Sequence, residues 1–174
     1  MKALYQKFET LLLNTTLDFK RYLYDEIAWE SRMVGIIGGR GVGKTTMILQ
    51  RIKEHLSVKN TLYVSADDMY FSEHKLIDLA DEFYKNAGEY LFIDEIHKYA
   101  NWSQELKNIY DSYPRLKVVF TGSSILDILK GTADLSRRAI IYQLQGLSFR
   151  EYLKLLHGYE VSVYSLKQII NNEV

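Results

Sequence analysis

Apolar residues along this chain follow two different spacings. In five short stretches they follow one another with almost no polar interruption, which is the pattern of strands whose two faces are both buried. These predicted strands are residues 33–37, 61–65, 90–93, 116–121 and 140–144. The runs therefore predict a sheet of about five strands.

Between the predicted strands, apolar residues recur at the three- and four-residue spacing of amphipathic helices. The predicted helices, with Asp18 as a candidate N-cap, are residues 2–13, 18–30, 47–52, 73–87, 102–110, 125–130 and 148–156. Strands and helices alternate, which is typical of a parallel sheet between layers of helices. The predicted fold class is an α/β three-layer sandwich preceded by N-terminal helices. Such sheets bind ligands at the carboxyl ends of their strands.

Length and composition fit a single domain. We divide the 174 residues into N-terminal helices (1–30), a core (31–145) and a C-terminal helical segment (146–174). No apolar run approaches the roughly 18 residues of a membrane-spanning helix, and residues 1–7 lack the apolar stretch of a signal peptide, so we expect neither feature. The chain has no cysteine, so we expect a cytoplasmic protein without disulfides. Its 22 basic and 22 acidic residues cancel, which disfavours nucleic acid as the main ligand without excluding a local basic patch.

Residues 38–46 carry the most specific chemical signal, the pattern Gly-x-x-x-x-Gly-Lys-Thr of a phosphate-binding P-loop. The glycines let backbone N–H groups face phosphate oxygens, and the helix that follows adds the positive end of its dipole. Lys44 would reach the β- and γ-phosphates, and the Thr45 hydroxyl would bind Mg²⁺. The predicted nucleotide-binding residues are Gly38, Gly39, Arg40, Gly41, Val42, Gly43, Lys44, Thr45 and Thr46.

Two carboxylates, Asp94 and Glu95, follow the predicted strand 90–93. Mg²⁺ takes oxygen ligands and keeps several waters, so Asp94 is predicted to hold that ion through a water. Glu95 would orient and deprotonate a water for attack on the γ-phosphate. An isolated pair of this kind is more often a solvated strand end, and the upstream P-loop reverses those odds. His97 and Lys98 are assigned no role, because no second His or Cys lies at metal-ligand spacing.

A third predicted strand ends in Thr121-Gly122-Ser123-Ser124. Ser123 could contact the γ-phosphate or the attacking water, and a role as a helix cap is equally compatible with the sequence. Arg137 and Arg138 follow, and a guanidinium there could neutralise charge on a transferring phosphoryl group. Surface arginines are common, so an ordinary surface role has about the same weight.

Four segments, taken together, resemble the predicted AAA-type ATPases of bacteria and archaea. They are residues 38–46, 91–98 with Asn101-Trp102, 121–124, and Gly146-Leu147-Ser148-Phe149-Arg150-Glu151-Tyr152-Leu153, in that order. The resemblance implies a P-loop nucleoside-triphosphatase fold in which residues 38–46 bind phosphate. It further implies Mg²⁺ coordination by Thr45 and Asp94, water activation by Glu95, a sensor role near Ser123 and an arginine near 137–138. Members usually continue past this point into a C-terminal domain.

We therefore expect Mg²⁺-dependent ATP binding and hydrolysis that drives a conformational switch or motor. The expected catalytic residues are Lys44, Glu95, Ser123 and Arg138. A P-loop kinase and a non-catalytic nucleotide-binding module remain alternatives, and the Asn-Lys-x-Asp motif of GTPases does not occur. An arginine that acts on a neighbouring subunit would require a homo-oligomer.

Overall fold

The computed structural model describes residues 1–123 and 135–171. Within them, five parallel strands form one sheet in the order β2-β3-β4-β1-β5. The strands are β1 (Met33–Ile37), β2 (Thr61–Ser65), β3 (Tyr90–Asp94), β4 (Lys117–Gly122) and β5 (Ile140–Gln143). The predicted parallel sheet of about five strands is confirmed, and the observed ends differ from the predicted ones by one residue at most.

Helices cover the sheet, and further helices follow the last strand along the chain. They are α1 (Lys2–Leu13), α2 (Leu23–Glu26), α3 (Lys44–His55), α4 (Leu76–Lys85), α5 (Trp102–Ser112), α6 (Phe149–His157) and α7 (Leu166–Ile170). Two short 3₁₀ turns, Met69–Ser72 and Ile96–Lys98, follow β2 and β3. The helix predicted over residues 125–130 lies outside the described residues. In the described residues, no helix combines the length and the apolar character needed to cross a membrane.

Each central strand contributes to two separate cores, one on each face of the sheet. In β1, Met33 and Ile37 face the core beneath α4 and α5, whereas Val34 and Ile36 face the core beneath α1 and α3. Both faces are buried, so the strands carry apolar residues at nearly every position and not at every second one. The predicted three-layer sandwich is therefore confirmed.

The second N-terminal helix is much shorter than predicted. The pattern predicted a helix over residues 18–30, but α2 contains only Leu23–Glu26, and Asp18 caps no helix. The Gln50 side chain of α3 donates to the Thr16 and Phe19 carbonyls, at 2.9 and 2.8 Å. These contacts hold residues 15–21 against α3 in an irregular conformation. The prediction was wrong here because tertiary hydrogen bonds outweighed local helical spacing.

The topology brings the chemically suggestive residues to one edge of the sheet. Because all the strands are parallel, their carboxyl ends lie along the same edge. β1 and β4 are neighbours, and Ile37 lies opposite Gly122. β3 is the other neighbour of β4, so Asp94 lies on the far side of β4 from the loop that follows β1.

Candidate functional site

Glycines determine the shape of the loop of residues 38–43, which connects β1 to α3. Gly41 and Gly43 have φ angles of 79° and 97°, a left-handed conformation that favours glycine. Gly38 is required for a different reason, because a Cβ there would collide with the carbonyl oxygen of Leu144. Three of the four glycines in this loop are thus explained by backbone geometry.

Most N–H groups between Gly39 and Thr46, in this loop and at the start of α3, are free to bind an anion. In the described parts of the chain, the N–H groups of residues 39–46 donate to no protein acceptor, and α3 has no side-chain cap. The Val42 carbonyl, one residue before the N-cap Gly43, accepts from the Arg21 guanidinium. Free N–H groups at a helix N-terminus attract anions, so this loop is a candidate phosphate site.

Lys44 is the cation of this site. Its side chain is buried, and its Nζ donates to the carbonyls of Gly38 and Gly39 at 2.9 and 2.8 Å. Burial lowers the pKa of Lys44, while the nearby Glu95 and Asp94 carboxylates act in the opposite direction. The ammonium group therefore lies between the loop and the two carboxylates, where it can donate charge-assisted hydrogen bonds to an anion.

The Asp94 carboxylate is buried at the end of β3 and accepts three hydroxyl hydrogen bonds. Thr45 and Tyr63 donate to one carboxylate oxygen at 2.6 and 2.9 Å, and Thr121 donates to the other. Burial and the adjacent carboxylate raise the pKa of Tyr63, so it stays a neutral donor. Thr45 and Asp94 thus form a pair of hard oxygen donors, the donor chemistry that suits Mg²⁺.

Glu95 lies next to Ser123 and His97. The Ser123 hydroxyl is 3.1 Å from Oε2 of Glu95 and also 3.1 Å from Nε2 of His97. Glu95 has φ 51° and ψ 40°, a left-handed conformation that is uncommon for a residue with a side chain and often marks a functional site. The structure therefore brings together the predicted pair Glu95 and Ser123, and it adds His97, to which the sequence assigned no role.

Arg137 and Arg138 lie at the opposite edge of the sheet. They precede β5, which runs parallel to β1, so they are near the amino ends of the strands whereas the glycine loop follows the carboxyl end. Arg138 makes a two-point ion pair with Asp111, with both distances 3.0 Å. Arg137 is exposed. Neither residue is positioned to contact an anion bound at this chain's own loop, so the predicted role in a neighbouring subunit stays a prediction.

Two residues near the loop had no assigned role in the sequence analysis. Arg21 and Glu151 form an ion pair whose side chains are both more than nine-tenths buried. The spacing of Ser148 and Glu151 could have predicted a capping box at the start of α6, and the structure contains one. Nothing in the sequence indicated that Arg21, 130 positions away, would be the partner of Glu151.

A cavity of about 360 Å³ lies beside the loop and is open to solvent. One wall is made by residues of the predicted nucleotide-binding segment, namely Arg40, Gly41, Val42, Gly43 and Thr46. The rest is largely apolar, with contributions from Phe19, Met47, Leu147 and Leu155. The cavity therefore lies next to the loop that carries the free N–H groups, and its apolar surface suits a flat ring.

The chain is similar to known proteins over most of its length. Residues 30–153 match a family model described as an AAA domain. The chain is 29% identical over 181 aligned residues to the uncharacterised protein MJ1637 of Methanocaldococcus jannaschii. That match covers 97% of this chain and 36% of MJ1637, so the chain spans about a third of that relative.

The chain is also similar to two solved structures. DnaA from Aquifex aeolicus, solved with AMPPCP bound, matches with a TM-score of 0.53 and 16% identity, over 86% of this chain and 52% of DnaA. PCH-2 of C. elegans matches with a TM-score of 0.49 and 20% identity, over 82% of this chain and 42% of PCH-2. At such identities the likeness to DnaA concerns the fold alone.

Proposed function

The chain belongs to the AAA domain family of nucleotide-binding ATPases, and on this premise we propose that it binds ATP with Mg²⁺ and hydrolyses it at the loop of residues 38–46. One observation carries the proposal. Free N–H groups, the ammonium of Lys44 and the carboxylates of Asp94 and Glu95 converge at one edge of the sheet. Such a set of groups suits a triphosphate, its cation and the attacking water.

The phosphates would be held by the N–H groups of residues 39–46 and by Lys44. The Lys44 ammonium now donates to two loop carbonyls, and a short movement of its flexible side chain would direct it to the β- and γ-phosphates. These hydrogen bonds are charge-assisted and are therefore stronger than bonds between neutral groups.

The Thr45 hydroxyl and the Asp94 carboxylate would hold Mg²⁺, together with phosphate oxygens and water. Their mutual hydrogen bond of 2.6 Å already places two oxygen donors side by side. When bound, the cation neutralises charge that develops on the phosphate oxygens. Tyr63 and Thr121 keep the Asp94 carboxylate in place from the other side.

Glu95 would act as the general base. It takes a proton from a water whose oxygen attacks the γ-phosphorus, while the bond from that phosphorus to the β–γ bridging oxygen breaks. Ser123 and His97 both contact Oε2 of Glu95 and would keep its carboxylate in place. The Ser123 hydroxyl would donate to the water or to a γ-phosphate oxygen once these occupy the site.

The apolar part of the neighbouring cavity would take the nucleobase. The ring of Phe19 and the side chains of Met47 and Leu147 offer an apolar surface for an adenine. Because the guanine-reading motif of GTPases does not occur in the sequence, we expect ATP to bind more tightly than GTP.

The energy of hydrolysis would drive a conformational switch in a cytoplasmic homo-oligomer. A γ-phosphate with its Mg²⁺ can order nearby segments and release them after hydrolysis. Arg138 lies at the edge of the sheet opposite this chain's own phosphate loop. Its proposed contribution is therefore to the nucleotide of a neighbouring subunit.

Replacement of Glu95 by Gln tests the proposed chemistry. Glu95→Gln keeps the size of the side chain but cannot accept the proton, so kcat should fall by about 10²–10⁴ while the Kd for ATP changes little. Lys44→Ala should instead weaken ATP binding roughly 10- to 100-fold. The exposed Glu73 offers a matched control, since Glu73→Gln removes a carboxylate that is not part of the proposed site. If the Glu95→Gln protein releases phosphate at the parent rate, Glu95 is not the base and the proposal fails.

A further inference from the structure

The ion pair of Arg21 and Glu151 connects distant parts of the chain beside the phosphate loop. Nε of Arg21 is 2.8 Å from Oε1 of Glu151, and the terminal nitrogen Nη2 is 3.4 Å from Oε2. Both side chains are buried, so the pair is desolvated on formation. Burial of two charges costs several kcal/mol per ion and gives little net stability. The ion pair is therefore better explained by a role in positioning the segments around it than by a contribution to the stability of the fold.

The two terminal nitrogens of the Arg21 guanidinium also bind three backbone carbonyls. Nη1 donates to the Val42 carbonyl within the phosphate loop. Nη2 donates to the carbonyls of Gln145 and Gly146, each at 2.9 Å, in the segment between β5 and α6. The planar, rigid arrangement of guanidinium donors fixes these acceptors relative to one another in a way that a lysine ammonium cannot.

Glu151 completes the connection on the side of α6. It accepts from the Tyr22 N–H at 2.9 Å and from the Ser148 N–H at 2.8 Å, in addition to Arg21. Burial raises the pKa of Glu151, but the hydrogen bonds from Arg21, Ser148 and Tyr22 outweigh it and lower the pKa to about 2. The carboxylate is charged at neutral pH and fixes the first turn of α6 to the residues beside the loop.

We propose that Arg21 and Glu151 are positioning residues that hold the phosphate loop in its binding conformation. Arg21 binds the Val42 carbonyl directly before the left-handed N-cap Gly43 and so fixes the orientation of that peptide, at the point where the loop turns into α3 and the Thr46 N–H has no protein acceptor. Glu151 keeps the guanidinium in the required orientation. This inference rests on the proposed function, because the conformation that is held is the one argued to bind nucleotide.

Arg21→Lys is the most informative variant. It keeps a positive charge beside Glu151, but a single ammonium cannot reach all three carbonyls together. Glu151→Gln is the second variant, since it keeps an acceptor for the first turn of α6 and loses the charge. Lys20→Gln is the matched control, because Lys20 is the adjacent residue and pairs with Glu54 away from the loop.

The first measurement compares the Kd for Mg²⁺-ATP with the melting temperature in the absence of nucleotide. We expect Arg21→Lys and Glu151→Gln to raise the Kd about tenfold, whereas Lys20→Gln keeps the parent Kd. A purely structural role would lower the melting temperature and leave the Kd unchanged. A folded Arg21→Lys protein with the parent Kd would overturn the proposal. If Arg21→Lys does not fold, the same comparison with Glu151→Gln decides.

The second measurement needs no nucleotide. Amide hydrogen exchange of the Gly38 and Met47 N–H groups, which donate to the Gly122 and Gly43 carbonyls on either side of the loop, should be faster in Arg21→Lys than in the parent, and unchanged in Lys20→Gln. Equal exchange in all three proteins would also refute the positioning role. If the parent chain binds no ATP, the proposed function fails, and this measurement still tests the inference.

Discussion

Gly38 should tolerate substitution far less well than its neighbour Gly39, although both belong to the same loop. A Cβ at Gly38 would lie well under 3.0 Å from the Leu144 carbonyl oxygen and 3.2 Å from its carbon. These are backbone atoms, and the Leu144 N–H is itself bonded to the Ile37 carbonyl at 2.7 Å. The Gly38 N–H in turn donates to the Gly122 carbonyl at 3.2 Å, so the chain is held from both sides. Relief of the clash must therefore move β5 away from β1.

The cost can be estimated from known effects of overpacking. Insertion of a group into a filled site typically costs about 1–3 kcal/mol. For a chain of this size each kcal/mol lowers the melting temperature by about 2–4 °C, so Gly38→Ala should melt roughly 2–12 °C below the parent. At Gly39 the nearest atom to an added Cβ is a Val42 methyl group at 3.5 Å, an ordinary contact. Gly39→Ala should therefore stay within about 0.5 kcal/mol of the parent.

Urea unfolding followed by tryptophan fluorescence measures both variants. Trp29 and Trp102 are buried, one in each core of the sandwich, so their emission reports on both layers. Coincident transitions by fluorescence and circular dichroism would justify a two-state treatment. If Gly38→Ala and Gly39→Ala have the same midpoint, the close approach between β1 and the end of β5 does not exist as described.

Three further predictions follow from the site. Ser123→Ala should lower kcat on the order of 10² with little change in the Kd for ATP, as measured by steady-state kinetics and titration; weaker binding at the parent kcat would contradict this. Specific activity should rise with protein concentration, since an arginine supplied by a neighbouring subunit can contribute roughly 10³–10⁵ in rate. The double variant Arg137→Ala with Arg138→Ala should flatten that rise. A rate that is independent of concentration in the parent and in the double variant would exclude such a role. The pKa of Glu151 is lowered from 4.5 to about 2, so its contribution to stability is present above pH 4.5 and lost as the pH falls toward 2. Glu151→Gln should therefore lose less stability than the parent between pH 6 and 3 in urea unfolding, and equal losses would refute this assignment.

The sheet and its flanking helices were predictable because their signals are local. An uninterrupted apolar run such as residues 90–93 is required wherever a strand is covered on both faces, and β3 is buried in this way. The predicted positions of Lys44, Asp94 and Glu95 likewise followed from one rule, that parallel strands direct their carboxyl ends to the same edge. The structure places all three at that edge, whereas their chemical roles stay predictions.

The parts that could not be predicted depend on contacts between distant residues. The helical spacing of residues 18–30 was real, but Gln50 and the buried Arg21 impose another conformation on the first part of that segment. His97 was assigned no role from the sequence, and its contact with Ser123 becomes visible only when β3 and β4 lie side by side. Sequence patterns of this kind carry no information about which distant side chains meet.

The uncapped first turn of α3 has a consequence for the lifetime of the chain. Its free N–H groups leave the helix without the capping hydrogen bonds that usually stabilise a helix start. A bound triphosphate would supply those missing partners, and a ligand at 100 times its Kd adds about 2.7 kcal/mol to the stability of the folded state. Cleavage by proteases that act on the opened chain would then slow roughly a hundredfold when ATP is plentiful. Nucleotide bound at this helix end would therefore protect the folded chain against proteolysis.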